Sequence, residues 1–156
     1  MWEIFGRLIS GLIPSAIKSL TVRTRLKIIC GWEHEPNING VGNYLAMWVK
    51  IINPTPSPMY FERLELVSQA GEVFFPSFYH VKTGDEIPPG RNIVGLIPCG
   101  HVTSARPTEL RIYDSTEQKH AVKGRAFRKI VEDIATERAR LEQFHLNIHP
   151  SRPHPE

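Results

Sequence analysis

The 156-residue sequence is poor in cysteine and in long apolar runs, and both shortages exclude whole classes of protein. Its two cysteines, Cys30 and Cys99, are too few for a disulfide-rich scaffold. The longest uninterrupted apolar run, Leu45 to Val49, is five residues, whereas a membrane-spanning helix needs about 20. The first nine residues carry Glu3 where a signal peptide carries positive charge, and no small-residue cleavage site follows. We therefore expect a cytoplasmic protein with reduced thiols.

The sequence also lacks the common catalytic and phosphate-binding motifs. No GxxxxGK[ST], GxGxxG or GxSxG pattern occurs. Of the seven histidines, His145 and His149 have helical spacing, but Pro150 follows them and no HExxH pattern flanks them. Cys99 and His101 are too close in sequence to be oriented as nucleophile and base. We predict no catalytic residue, no metal, no cofactor and no enzymatic activity.

The placement of proline indicates the fold class. Nine of the 13 prolines lie between Pro36 and Pro107, where they separate short segments of alternating polar and apolar residues. This pattern predicts a mainly β protein, an antiparallel β-sandwich. The expected strands, about seven in number, cover residues 21–30, 44–53, 59–68, 72–79, 93–97, 109–113 and 119–123.

Helical periodicity marks both flanks of the predicted sandwich, which spans residues 21–123. Apolar residues recur at steps of three and four over 2–20, which predicts an N-terminal amphipathic helix in residues 1–20. A second, clearer helix is predicted over residues 124–146. The proline-containing tail, 147–156, is expected to be disordered.

The central segment resembles small bacterial and phage immunoglobulin-like β-sandwich proteins, many of them encoded on mobile elements. The resemblance lies in the apolar strand that ends at Asn53-Pro54, the strand from Tyr60 to Val67, Gly71-Glu72-Val73, the Pro88-Pro89-Gly90 turn, and Ile112-Tyr113-Asp114-Ser115. It implies an immunoglobulin-like fold and, by analogy, a binding role. A mobile-element or phage accessory protein that inhibits or recruits a host complex would fit it.

We therefore predict a non-enzymatic module that binds another protein. Aromatic side chains near loops supply large contact areas at low entropic cost. The predicted partner-binding residues are Trp32 and His34, in an expected loop over 31–43, and Phe78, Tyr79 and His80, beside an expected loop over 80–92.

Two other functions stay open. Arg23, Arg25 and Lys27 alternate along one predicted strand face and could contact nucleic-acid phosphates. They could equally be the solvated residues of an edge strand. The N-terminal helix could pack on the sandwich, on a partner or a second copy of the chain, or on a membrane surface.

Overall fold

The computed structural model describes residues 25–36 and 43–148 of the chain. Within these residues strands account for nearly half of the backbone, which agrees with the mainly β content that the alternating pattern predicts, and there are eight of them where about seven were expected. The strands are β1 (Lys27–Pro36), β2 (Asn43–Ile52), β3 (Met59–Ser68), β4 (Val73–Phe74), β5 (Glu86–Ile87), β6 (Asn92–Pro98), β7 (Pro107–Asp114) and β8 (Lys119–Lys123).

The strands form two antiparallel sheets. The first sheet has the order β1-β2-β6, and Tyr79 extends it by a single bridge to Leu96 at the free edge of β6. The second sheet has the order β4-β3-β7-β8, with β5 also paired to β3. The prediction of a mainly β, antiparallel fold is therefore confirmed.

The two sheets share one hydrophobic core. Met47, Val49 and Ile51 alternate along β2 and are fully buried, and Leu66 and Ile112 of the second sheet belong to the same cluster. Because side chains alternate between the faces of a strand, the residues between these belong to the outer faces of the sheets. This alternation decides which side chains are available for binding.

Two helices complete the described fold. Helix α1 (Cys99–Ala105) follows β6 directly, and helix α2 (Arg125–Ile148) follows β8. Phe127, Val131 and Ile134 of α2 lie on one stripe and join the core. The predicted C-terminal helix is thus confirmed, and it continues through residues 147 and 148, which the prediction gave to a disordered tail. No proline or glycine occurs between Arg125 and His149, so the sequence contains no helix-breaking residue before Pro150.

Two predicted loops are wrong in part. Residues 31–36, expected to begin a loop, continue β1, with a register that runs unbroken from Lys27 opposite Ile52 to Pro36 opposite Asn43. Pairing with the apolar strand β2 overrides the glycine and the polar residues that suggested a loop. The expected loop over 80–92 contains β5, which pairs with β3. Residues 99–105, which lie between two predicted strands, form α1, because Val102 and Ala105 are buried in the core.

A buried amide holds the long connections in place. Asn53 Nδ2 donates hydrogen bonds to the carbonyl oxygens of Ser57 and Ile87, both at 2.8 Å. Its Oδ1 accepts from the backbone N–H of Thr55 at 3.0 Å and from the Thr55 hydroxyl at 2.7 Å. The single Asn53 side chain therefore fixes the proline-rich connection after β2 against β5.

The predicted N-terminal helix over 2–20, Arg23 and the predicted tail from residue 149 onward lie outside the described residues.

Candidate interaction surface

The outer face of the first sheet carries a row of apolar residues. Tyr79, Leu96, Trp48 and Gly31 are directly opposite one another on successive strands, so their side chains share that face. The next row, two residues along, contains Val94, Lys50 and Ile29. We call the apolar members of these rows, together with the neighbouring Ile52, the outer apolar face: Ile29, Trp48, Ile52, Val94, Leu96 and Tyr79.

A glycine sets the position of the largest of these side chains. The Trp48 indole lies over Gly31 so closely that a Cβ atom on residue 31 would be 2.2 Å from Trp48 Cζ2. Any other residue at position 31 would push the indole away. The ring is therefore held against the backbone of β1. Because much of its side-chain conformational entropy is already lost in the free protein, a partner that contacts it would pay less of this cost on binding.

Parts of the outer apolar face are open to solvent. The exposed fraction is 52% for Tyr79, 41% for Val94 and 37% for Ile29, whereas Leu96, between Tyr79 and Trp48, is buried. Lys27 and Lys50 project from the same face, and neither forms an ion pair with a described residue. The face thus combines exposed apolar side chains with unpaired positive charge.

The outer face of the second sheet is different in character. Arg63 donates to Glu65 at 3.1 Å and to Glu117 at 2.7 Å, and its guanidinium carbon lies 3.8 Å from the Tyr113 ring centre. Arg111 donates to both oxygens of Glu109 at 3.1 Å. These arginines and carboxylates are paired within the chain. Lys119 and Lys123 of β8 lie on the same face, are exposed, and form no ion pair with a described residue.

Trp32 and His34, predicted as loop contacts, are on the inward side of β1. Trp32 packs against the core, and its ring meets His34 edge to face at a centroid distance of 6.0 Å. His34 Nε2 lies 2.9 Å from Glu137 Oε1 of α2, and its Nδ1 is buried with no hydrogen-bond partner among the described residues. Both side chains are thus engaged in joining β1 to α2.

Glu137 is the centre of this junction. Its carboxylate also accepts two hydrogen bonds from Arg140, at 2.6 and 2.8 Å. Hydrogen bonding from the Arg140 guanidinium lowers the pKa of Glu137 to about 2. Partial burial opposes this shift, and the hydrogen bond with His34 adds to it. The carboxylate is therefore ionised at any physiological pH.

Phe78, Tyr79 and His80 follow a segment that crosses from β4 in the second sheet to the edge of β6 in the first. Phe78 turns inward, where its ring occupies the space over Gly95 and lies 5.6 Å from the Phe61 ring centre. Tyr79 turns outward and is hydrogen-bonded through its backbone to Leu96. His80 is exposed and has a positive φ of 69°. The structure brings Tyr79, but neither Trp32 nor Phe78, to the outer apolar face.

Of the predicted phosphate-binding residues, Arg25 and Lys27 lie within the described part of the chain. Both are exposed, and the backbone between them is held by a hydrogen bond from the Leu26 N–H to His120 Nδ1 at 3.1 Å. They stand at the end of the first sheet, on the side where Lys27 pairs with Ile52.

His120 and Asp114 form a buried pair that resembles part of a catalytic triad. His120 Nε2 lies 2.8 Å from Asp114 Oδ2, and Asp114 Oδ1 accepts from Thr116 and Gln118. Burial alone would raise the pKa of Asp114, but the hydrogen bonds from Thr116 and His120 hold it below its usual value. Both ring nitrogens of His120 are hydrogen-bonded, Nδ1 to the Leu26 N–H and Nε2 to the Asp114 carboxylate. His120 therefore has no free nitrogen with which to act as a base. The pair instead ties the start of β1 to β8.

The two cysteines are free thiols in this structure. Burial raises the pKa of Cys30 to about 12, and it also raises that of Cys99, where Arg138 opposes it. Since the thiolate is the nucleophilic form, neither environment activates its sulfur. No group of three or more His, Cys, Asp or Glu residues that could hold a metal ion occurs among the described residues.

Sequence reasoning missed Ile29, Trp48 and Val94 as surface residues. The available signal was in β2, whose residues are apolar on both faces. A strand with apolar residues on both faces is typical of the middle of a sheet, where β2 lies, and here its second face also contributes to the outer apolar face.

No helix in the described part of the chain is both long enough and apolar enough to span a bilayer. No protein-family model matches the sequence, and comparison with curated proteins also finds no match.

Proposed function

We propose that this protein is a non-enzymatic binding module whose outer apolar face docks on another protein. The observation that carries the proposal is the row formed by Tyr79, Leu96, Trp48 and Gly31, in which an indole fixed against backbone and an exposed phenol lie on either side of Leu96. Tyr and Trp are the residues most enriched at the energetic centres of protein interfaces. The ion-paired Arg63 and Arg111 on the outer face of the second sheet support the choice of the first sheet's face over the second's.

The partner surface is expected to be apolar at its centre and acidic around it. Lys27 and Lys50 lie on the face, and Arg25 stands at its end. An acidic surround would neutralise these charges and accelerate association. A partner of this kind is our choice over a second copy of the chain, because a second copy would add its own unpaired Lys27 and Lys50 to the contact. Glu33 of β1 also lies on this side of the sheet.

The domain is proposed to be an immunoglobulin-like sandwich. The two antiparallel sheets around one core, and the short strands joined by proline-rich connections, support this assignment. A role as a mobile-element or phage accessory protein that inhibits or recruits a host complex agrees with such a binding module.

Photo-cross-linking tests the proposal directly. A photoreactive amino acid replaces Val94 on the outer apolar face, and in a second protein it replaces Ala121 on the outer face of the second sheet. Both positions are exposed strand residues. In cells that carry the gene naturally, we expect the Val94 probe to form a discrete adduct with another protein and the Ala121 probe to form none.

Three outcomes would reject the proposal. Equal adducts from both probes would remove the preference for one face. An adduct between two copies, matched by a dimer in sedimentation, would make this face a homodimer contact. The third outcome is binding to a mixed-sequence oligonucleotide. If that affinity falls steeply with salt, and if Lys27→Ala and Lys50→Ala weaken it, nucleic acid is the better candidate for the partner.

A further inference from the structure

A second cleft, with no residue in common with the outer apolar face, lies between α1 and α2, near the turn after β3. Its volume is about 620 Å³, which is within the range of ligand-binding sites. Arg106, Arg128 and Arg138 reach it from three positions, and Val131, Ala135 and Ala139 supply an apolar side. It therefore joins positive charge to an apolar surface.

Two of these arginines have no partner within the described chain. Arg106 ends α1 in the left-handed region, with a φ of 43°, and its backbone N–H donates to the Val102 carbonyl. Its guanidinium and that of Arg128 form no hydrogen bond or ion pair with any residue that the structure describes. Arg138, in contrast, donates to Glu142 at 2.9 Å and to the Thr103 hydroxyl.

Carboxylates on the same cleft limit what it can accept. Glu142 is engaged by Arg138, and Glu132 lies between Arg128 and the apolar residues on α2. Three guanidinium groups thus face two carboxylates, which leaves one positive charge in excess. Because the arginines reach the cleft from separate positions, carboxylates spaced along one segment match them better than a single compact phosphate does.

We propose that this cleft binds an acidic peptide segment that carries an apolar side chain beside its carboxylates. Each unpaired guanidinium presents a planar fork that matches a carboxylate. Arg106 and Arg128 come from different helices, so an extended peptide can meet both while its apolar side chain covers Val131 and Ala135. The proposal does not depend on the outer apolar face.

The test is an NMR titration of the full chain with a short blocked peptide in which Asp and Leu alternate. We expect saturable shifts in the backbone amides of residues 103–106, 108 and 131–139. Replacement of Arg106 and Arg128 by Gln should weaken binding by about tenfold or more, since a hydrogen bond to a charged group contributes roughly 1.5–3 kcal/mol. Arg128→Gln alone, at an exposed helical position, should have a smaller effect in the same direction.

Arg125→Gln is the matched control, because it removes the same charge from α2 outside the cleft and should leave affinity unchanged. A second peptide, with Asn in place of Asp, should bind at least about tenfold more weakly. The proposal is overturned if the Asn peptide binds equally, if Arg125→Gln weakens binding as much as the cleft variants do, or if inorganic phosphate binds the same residues more tightly than the Asp peptide.

Discussion

At the scale of single residues, the fold depends on a few buried polar side chains that join distant segments. Asn53 fixes the connection after β2, and the His120–Asp114 pair ties the start of β1 to β8. Each of these groups is buried with its hydrogen-bonding capacity largely used, so removing one leaves its partners unsatisfied.

Asn53→Ala is expected to lower the free energy of unfolding by about 1–3 kcal/mol. The substitution removes the hydrogen bonds of the Asn53 side chain to the Ser57 and Ile87 carbonyl oxygens and to Thr55, although the Thr55 hydroxyl keeps its contact with the Ser57 carbonyl. Urea denaturation measures the change. Asn92→Ala, at an exposed asparagine, is the control and should stay within about 0.5 kcal/mol of the parent protein. Equal small effects from both variants would contradict the structural role of Asn53.

Cys30 is expected to resist alkylation in the folded protein. Burial raises its pKa to about 12, so very little thiolate is present at pH 8. Mass spectrometry after timed exposure to iodoacetamide should find Cys30 modified far more slowly than in urea-unfolded protein. Modification at the unfolded rate would show that Cys30 is not buried.

At the scale of elements, α2 is part of the fold, because it supplies core residues and closes the junction with β1 through Glu137. Phe127→Ala should therefore cost about 3–5 kcal/mol of stability, since it removes a fully buried ring from the core. Phe144→Ala on the same helix removes a ring that is 58% exposed and should cost little. Thermal denaturation of the two variants compares them, and similar melting temperatures would refute this packing of α2.

The Glu137 junction should make stability depend on pH. The pKa of Glu137 is lowered to about 2 in the folded state, below its ordinary value of 4.5. Its contribution is therefore fully present above about pH 5 and is lost as the pH falls toward 2. The difference in unfolding free energy between the parent protein and Glu137→Gln should shrink over that interval. A difference that is constant between pH 6 and pH 3 would contradict the ion pairing.

The sequence predicts the six longer strands and α2, because each carries its own periodicity. The predicted strand over 72–79 is a strand only at Val73–Phe74, and β5 lies in the segment expected to be a loop. The sequence places Trp32 and His34 in a loop, because Gly31 and the asparagines after Pro36 are typical of turns; pairing with β2, which is not visible locally, keeps residues 31–36 in the sheet. The outer apolar face could not be predicted, because it joins β1, β2, β6 and Tyr79, and strand order is a property of the tertiary fold.

At the scale of the whole molecule, the two sheets divide its surface into two kinds. Among the described residues, the second sheet presents ion-paired arginines and carboxylates together with the unpaired Lys119 and Lys123, whereas the first presents a row of apolar side chains with Lys27 and Lys50. This asymmetry is the central reason for assigning a binding role, and it predicts that function tolerates change on one face and not on the other.

The most direct measurement compares the affinity of two single variants for the cross-linked partner by isothermal titration calorimetry. Val94→Asp places a carboxylate in the outer apolar face, and Ala121→Asp places the same charge on the outer face of the second sheet. Because an unpaired carboxylate is costly to bury, we predict that Val94→Asp weakens binding by at least about tenfold, roughly 1.4 kcal/mol. Ala121→Asp should leave the affinity unchanged. Unchanged affinity for a folded Val94→Asp protein, or equal loss in both, would contradict the account.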